Sequence, residues 1–385
     1  MYFWTNFIAM QIQRTLKTQL QNDLMNSGKV IVLYGPRQAG KTTLSKMIIE
    51  ETGLKSLMIN ADQLKYIDIL SSRDLKLLQS LVSGYQLLFI DEGQRIPEIG
   101  INLKILHDEL PELKVLITGS SYFLLSDRVS EALTGRKKIH TLLPVSMSEL
   151  AMDFNAFELN DQLNERLIFG MYPEVITTKN MIEKEEYLRE ITNSYLYKDI
   201  LELETIRYPM KIRDLLRLLA FQVGAQVSMN ELCNILKLNR ETVERYLFLL
   251  EQSFIIFRMN AFSRNPRNEV SKSQKFYFYD NGIRNMLIDN LSGMESRNDV
   301  GALWEGFIIA ERKKKLLYEQ KHVNTYFWRT YAGAELDFVE EVNNNMTAFD
   351  IKFKKPRLKA PKAWTDHYGN DFHCITRENF LEFVV

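Results

Sequence analysis

Short runs of β-branched and apolar residues alternate with longer amphipathic stretches through residues 29–143. That rhythm predicts a parallel sheet whose strands are joined by crossover helices. The strand runs are Lys29–Tyr34, Lys55–Asn60, Leu87–Ile90, Val115–Thr118 and Lys138–Leu143. Residues 146–204 hold no strand-like run and predict a helical lid over the sheet. From about Pro209 the pattern changes. A helix over Lys211–Val223 is followed by VSMNELCNILKLNRETVERYLFLLEQ, two amphipathic helices joined by a tight turn at Leu238 and Asn239. FIIFRM and KFYFYD then predict strands, with a turn expected at Asn281-Gly282. The polar stretch Leu291–Asp299 predicts a linker, and beyond it come a helix (Leu303–Leu317) and strand runs at Asn324–Thr330, Glu335–Val342 and Thr347–Lys352. The fold class is therefore α/β. The expected divisions are an N-terminal helix (1–28), a parallel-sheet unit with its lid (29–205), a mainly helical module (206–292) and a C-terminal α/β module (300–385).

Composition changes this picture little. Apolar residues make up 45% and charged residues 25% of the 385, the balance of a water-soluble globular chain. Lysine and arginine equal aspartate and glutamate at 49 each, so any nucleic-acid binding must come from local basic clusters. Two cysteines, Cys233 and Cys374, supply neither a disulfide framework nor a multi-cysteine zinc site, which fits a cytoplasmic protein. The start, MYFWTNFIAMQIQRTLK, lacks the basic region and small-residue cleavage site of a signal peptide, and Met10 offers an alternative start. No apolar run approaches the roughly 20 residues that span a bilayer, so no membrane partner is expected.

The chemistry enters at GPRQAGKT. Gly35, Pro36, Arg37, Gln38, Ala39, Gly40, Lys41 and Thr42 match G-x-x-x-x-G-K-[ST], between a buried strand and a helix that Thr43 continues. Glycines let the backbone curl so that its N–H groups face phosphate oxygens, and the helix N-terminus adds its positive end. Lys41 is expected on the β- and γ-phosphates of ATP, and the Thr42 hydroxyl on magnesium. LLFIDE ends a second apolar strand in two carboxylates: Asp91 for the magnesium shell, Glu92 to orient or deprotonate the attacking water. Ser120, after the strand VLIT, is a candidate γ-phosphate sensor or a plain loop serine. Arg136 is a candidate phosphate contact from its own or a neighbouring subunit, or a surface arginine.

The strings GPRQAGKTTL, FIDEGQRIPE, LITGSS, LTGR, GMYPEV and YLYKDIL resemble the bacterial and archaeal AAA-type ATPases whose C-terminal half is a domain of unknown function. The resemblance implies an AAA-like nucleotide domain, a winged-helix region over 206–292 and a restriction-endonuclease-like domain over 300–385. In the winged-helix region, a groove-reading helix would present Asn239, Arg240, Glu241, Glu244 and Arg245, although the glutamates oppose phosphate. The same fold also serves protein contacts.

In the C-terminal string YFWRTYAGAELDFVEEVNNNMTAFDIKFKK, Asn343–Asn345 predicts a hairpin turn. Asp350 and Lys352 then share a strand face, with Asp337 on the adjacent strand. The set resembles the D…[D/E]-x-K arrangement of restriction-like nucleases, in which the acids hold magnesium and the lysine polarises water. Glu305 would be a fourth member and Glu335 an auxiliary acid; Asp350 stands where the family usually carries Glu. Basic runs flank the set at Arg312–Lys315 and at Lys354, Lys355, Arg357, Lys359 and Lys362. A hairpin with solvated charges accounts for the same residues. No zinc-ligand spacing and no Ser/His/Asp constellation is present. The resulting expectation is a magnesium-dependent ATPase coupling nucleotide state to nucleic-acid binding, DNA before RNA, with cleavage by Asp337, Asp350, Lys352 and Glu305, in a homo-oligomer. The alternative is a regulatory ATPase that uses its C-terminal half to bind protein.

Overall fold

Five short apolar strands make the first sheet: β1 (Val30–Tyr34), β2 (Ser56–Asn60), β3 (Leu87–Asp91), β4 (Lys114–Gly119) and β5 (Lys137–Thr141). The computed structural model, which describes residues 12–119, 131–195, 208–264 and 273–385, sets them in the order β2-β3-β4-β1-β5. All pairings are parallel. Helices cover both faces, which is why β1 is an unbroken apolar run rather than an alternating one. Ile31 and Leu33 pack against Leu20, Leu24, Leu44 and Ile48 of the Leu16–Asn26 and Lys41–Thr52 helices. Val30 and Val32 face the other way, into a core with Leu78, Leu103 and Leu106. Over 146–195 the segment expected as a lid is helical, built of Met147–Leu150, Ala156–Asp161, Leu163–Phe169, Pro173–Thr177 and Met181–Glu190, and its remainder, 196–204, lies outside the described residues.

The helix pair follows as Met229–Leu236 and Arg240–Gln252. Asn239 caps the second helix, its Oδ1 accepting from Thr242 N at 2.8 Å. The strands after it do not stay within their own module. β6 (Gln226–Val227), β7 (Ile256–Phe262) and β8 (Gln274–Phe278) share one seven-stranded sheet with β9 (Asn324–Arg329), β10 (Glu335–Val342), β11 (Asn345–Ile351) and β12 (Phe372–Ile375). The order is β12-β11-β10-β9-β7-β8-β6, and β7 pairs parallel with β9. Backbone hydrogen bonds thus cross the division expected between 292 and 300, and one apolar cluster runs from Val145 to Val384. Pairing removes an exposed edge from β7 and from β9, edges that would otherwise template association.

Two local expectations change. Asn281-Gly282 opens a helix (Asn281–Leu287) capped by Asp280 instead of making a turn. Gly282 is required there because a Cβ would lie 2.1 Å from the Phe169 carbonyl. The linker is pinned: Arg297 donates from Nε to Asp299 at 2.8 Å and from Nη1 to Asn290 O at 2.7 Å, and Asp299 also pairs with Arg284. Asn343 and Asn344, at φ 50° and 66°, make the β10–β11 turn as expected. No helix among the described residues is long and apolar enough to cross a membrane.

Candidate functional site

Gly35 leaves β1 at φ 152°, and a Cβ there would sit 1.9 Å from the Leu142 carbonyl oxygen, so only glycine fits. Gly40, at φ 93°, turns the chain into the Lys41–Thr52 helix. Lys41 is buried, its Nζ donating to the Gly35 and Pro36 carbonyls at 2.9 and 2.8 Å, which holds the ammonium over the loop. Thr42 Oγ1 donates to both carboxylate oxygens of Asp91, at 3.0 and 2.9 Å. This oxygen set, at the start of the Lys41–Thr52 helix and the end of β3, suits a hard divalent cation such as magnesium. Between them stands Thr118 of β4. Its Oγ1 donates to Asp91 Oδ1 at 2.5 Å and accepts from Glu92 N at 3.2 Å. Glu92 sits at φ 57° and its Oε2 accepts from Gln94 Nε2 at 2.6 Å.

The expected residues Arg37, Gln38, Gly40, Lys41, Thr42, Thr43 and Glu92 line one pocket of about 340 Å³. Arg95 completes that wall, and the lid closes the other side with Pro173, Glu174 and Tyr187. Ser120 lies outside the described residues. Arg136 does not join the pocket in its own chain. It precedes β5, whose register puts Lys137 opposite Val30, at the far end of the sheet from Gly35. There its Nε pairs with Asp108 Oδ1 at 2.7 Å. The length of a five-residue strand, roughly 15 Å, separates it from the P-loop.

Three residues that hold this site were given no role by the sequence: Thr118 and Gln94, which lie within LITGSS and FIDEGQRIPE, and Arg14, which lies in no motif. Arg14 is buried, and its guanidinium donates to the P-loop Ala39 carbonyl at 2.7 Å, to Leu143 O at 2.6 Å and to Glu149 Oε1 at 3.0 Å. The C-terminal half meets the same junction. Tyr318 Oη accepts from Leu143 N at 3.1 Å, and the buried Glu311–Lys314 pair binds Met147 N at 2.6 Å and Val145 O at 3.0 Å.

A second charged centre assembles in the seven-stranded sheet. Lys352 Nζ lies 2.9 Å from Asp337 Oδ2 and 2.9 Å from Asp350 Oδ1, so the three residues expected from strand parity do converge. A register shift in the β9–β10 pairing falls between Leu336 and Val339, the stretch that carries Asp337. Burial, then the Asp337 charge, push Asp350 up to about 6. Asp337 is held below the usual carboxylate value although burial opposes this, because Lys352, Asp350 and Lys275 surround it. Burial also works against the charge of Lys352, but the two aspartates raise it well above the ordinary lysine range.

Glu305 is present too, but facing different partners. Its Oε1 accepts from Tyr277 Oη at 2.7 Å and pairs with Lys275 Nζ at 3.3 Å, and burial pushes it up to about 7. Glu335 pairs with the same Lys275 at 2.7 Å. Lys275 and Tyr277, both on β8, are the unforeseen members of this centre; the only signal for them is a lysine within an aromatic strand. For a metal the fit is partial. Asp350 Oδ2 is buried and receives no hydrogen bond among the described residues, with Arg357 Nη1 at 3.5 Å. No three His, Cys, Asp or Glu among the described residues converge as a ligand group.

The flanking charges divide into two classes. Arg312 is committed to Glu340 at 2.7 Å and Lys314 to Glu311 at 2.7 Å, so that run is not an open basic surface. Lys354, Lys355, Arg357, Lys359 and Lys362 are exposed. On the helix expected to read a groove, Glu244 lies 3.9 Å from Arg240 and 3.6 Å from Arg258.

Comparison with known proteins supports the nucleotide domain. A family model described as an AAA domain matches residues 27–151, and two domains of unknown function, DUF8612 and DUF4143, match 160–295 and 300–378. The uncharacterized protein Rv2008c of Mycobacterium tuberculosis is 30% identical over 332 residues, covering 85% of this chain and 71% of its own. The uncharacterized protein MJ1544 of Methanocaldococcus jannaschii is 28% identical over 331 residues, covering 81% and 72%. Among solved structures, the Walker-type ATPase PABY2304 of Pyrococcus abyssi aligns with TM-score 0.48 and 16% identity, over 72% of this chain and 96% of that one. That likeness is too distant to carry an argument, and the sheet order and P-loop geometry stand without it. With 30% identity across more than two thirds of the mycobacterial protein and an AAA domain over its P-loop, the chain belongs to the family of Rv2008c, as an AAA-type P-loop ATPase.

Proposed function

We propose that this chain binds ATP with magnesium at Gly35–Thr43, hydrolyses it with Glu92 and Asp91, and uses the nucleotide state to control nucleic-acid binding by its C-terminal half. The observation that carries the reading is the joining of the P-loop to the β3 carboxylates through Thr42, with Thr118 and Gln94 fixing Asp91 and Glu92. Thr42 and Asp91 would hold the magnesium, which when bound neutralises charge on the β- and γ-phosphates. Lys41 exchanges its loop carbonyls for phosphate oxygens. Glu92, held by Gln94, orients the attacking water and accepts its proton. The lid residues Pro173, Glu174 and Tyr187 limit water in the pocket. Arg136 remains a candidate only as a group offered by a neighbouring copy in a homo-oligomer.

Coupling to the C-terminal half rests on Arg14, which touches the P-loop at Ala39 and the Leu143–Glu149 junction that Tyr318, Glu311 and Lys314 also bind. The exposed cations from Lys354 to Lys362 favour a nucleic-acid backbone as partner, duplex DNA first. Cleavage is the further step within this reading: Asp337 and Asp350 would share a magnesium ion, and Lys352 would stabilise an attacking hydroxide. The regulatory alternative, a protein-binding C-terminal half, finds support in the exposed Leu358 and Tyr331.

The test is direct. Lys41→Ala should abolish ATP binding by calorimetry, while Glu92→Gln should bind ATP and lose turnover; wild-type affinity in Lys41→Ala refutes the site. DNA affinity should fall with salt at a log–log slope of about −0.9 per phosphate neutralised. Absence of binding at low salt removes the nucleic-acid reading and leaves the protein-binding one.

A further inference from the structure

Lys41, Arg37 and the helix N-terminus are the positive features that the P-loop brings to a bound triphosphate, and Arg136 stands at the wrong end of the sheet to add to them in the same chain. Two arginines of this chain line the pocket: Arg37, within the P-loop itself, and Arg95, on the turn that follows Glu92. We propose that Arg95 is a catalytic residue that closes onto the γ-phosphoryl group of ATP within its own chain; the inference rests on the ATPase reading above.

The placement follows from the turn that carries it. Gly93–Arg95 form one 3₁₀ turn directly after Glu92. Gly93 is buried so closely against β4 that a Cβ would lie 2.2 Å from Ile117 Cδ1, which fixes the turn on the sheet. Gln94 is buried and bonded to Glu92 at 2.6 Å. A platform that is rigid for the water-orienting carboxylate is therefore rigid for Arg95 too, and Arg95 shares the 340 Å³ pocket with Lys41, Thr42 and Glu92.

Its present partner can be given up. Arg95 pairs with Asp62, just beyond the end of β2, and the two side chains are 32% and 49% exposed. Ion pairs this open to water contribute little, whereas the guanidinium fork meets phosphate oxygens with two parallel hydrogen bonds and full charge. In the reaction, water oxygen bonds to Pγ and the bond from Pγ to the β–γ bridging oxygen breaks. The electron pair stays on ADP, and Glu92 takes the water proton. Negative charge grows on the bridging and γ-oxygens as this happens, and Arg95 supplies the matching positive charge.

Steady-state ATP turnover and ATP affinity of the full chain decide it, in wild type and in Arg95→Ala, Arg95→Lys and Asp62→Asn. Arg95→Ala should lower kcat by about 10³-fold with ATP affinity nearly kept, because charge supplied in the transition state shows in kcat. Arg95→Lys should recover only part of the loss, lacking the fork. Asp62→Asn should keep or raise turnover; a merely structural pair would make it fall together with Arg95→Ala. Turnover per chain should not change with protein concentration. Wild-type kcat in Arg95→Ala, equal losses in Arg95→Ala and Asp62→Asn, or turnover that rises with concentration each overturn the proposal while leaving the ATPase reading in place. A wild type without turnover overturns both.

Discussion

Glu305 offers a test of the second charged centre that needs no knowledge of its ligand. Burial pushes its carboxyl from 4.5 up to about 7, against the opposing pull of Lys275. Below about pH 4.5 the group is protonated in folded and unfolded chains alike and contributes nothing. Between about 4.5 and 7 the folded chain holds a proton that the unfolded chain has released, so stability falls as pH rises, by up to about 1.4 kcal/mol per unit. Above 7 both forms are ionised and the loss is complete, at about 3 kcal/mol. Glu305→Gln keeps an oxygen to accept from Tyr277, now 2.7 Å away, and Lys275 keeps Glu335 at 2.7 Å. The substitution removes the titration but not the shape. The stability of Glu305→Gln relative to wild type should therefore grow by about 3 kcal/mol between pH 4.5 and 8. Urea unfolding followed by tryptophan fluorescence measures it, since Trp304, Trp328 and Trp364 are all fully buried in the C-terminal half. Asp350 titrates in both proteins and cancels in the difference. A difference that stays flat, or shrinks as pH rises, refutes the reasoning.

Further outcomes are equally definite. Gly35→Ala would drive a Cβ to 1.9 Å from the Leu142 carbonyl, so nucleotide binding should be lost while the urea midpoint of the C-terminal half stays put; wild-type binding of a fluorescent ATP analogue counts against it. Glu311→Gln leaves Lys314 buried without its counter-charge, and should cost about 3 kcal/mol in urea unfolding. An unchanged midpoint there would show that the pair does not secure the junction. Thr118→Val removes the hydroxyl between Asp91 and Glu92, and should reduce ATP turnover by at least about 10-fold with little change in melting temperature.

The five strands of the first sheet, the P-loop, the Asp91-Glu92 strand end and the Asn343–Asn345 hairpin were all legible in the sequence, because each is set by neighbours along the chain. Glycines at 35 and 40 announce a backbone that other residues cannot adopt, and strand parity brings Asp350 and Lys352 to one face wherever the strand lies. What depended on strand order and register was not legible. β7 joins β9 across the expected domain division because two distant edges satisfy each other's backbone groups. Lys275 reaches Glu305 and Glu335 only through that joining. Parallel pairing of β5 with β1 sets Arg136 at the far end of the sheet from the P-loop, a placement that its position along the chain does not reveal. Arg14 and Thr118 acquire their roles from partners 25 to 135 and 26 to 27 residues away, respectively. A hydrogen bond closes when two atoms come within about 3 Å in space, and only the folded chain fixes that distance for residues so far apart in sequence.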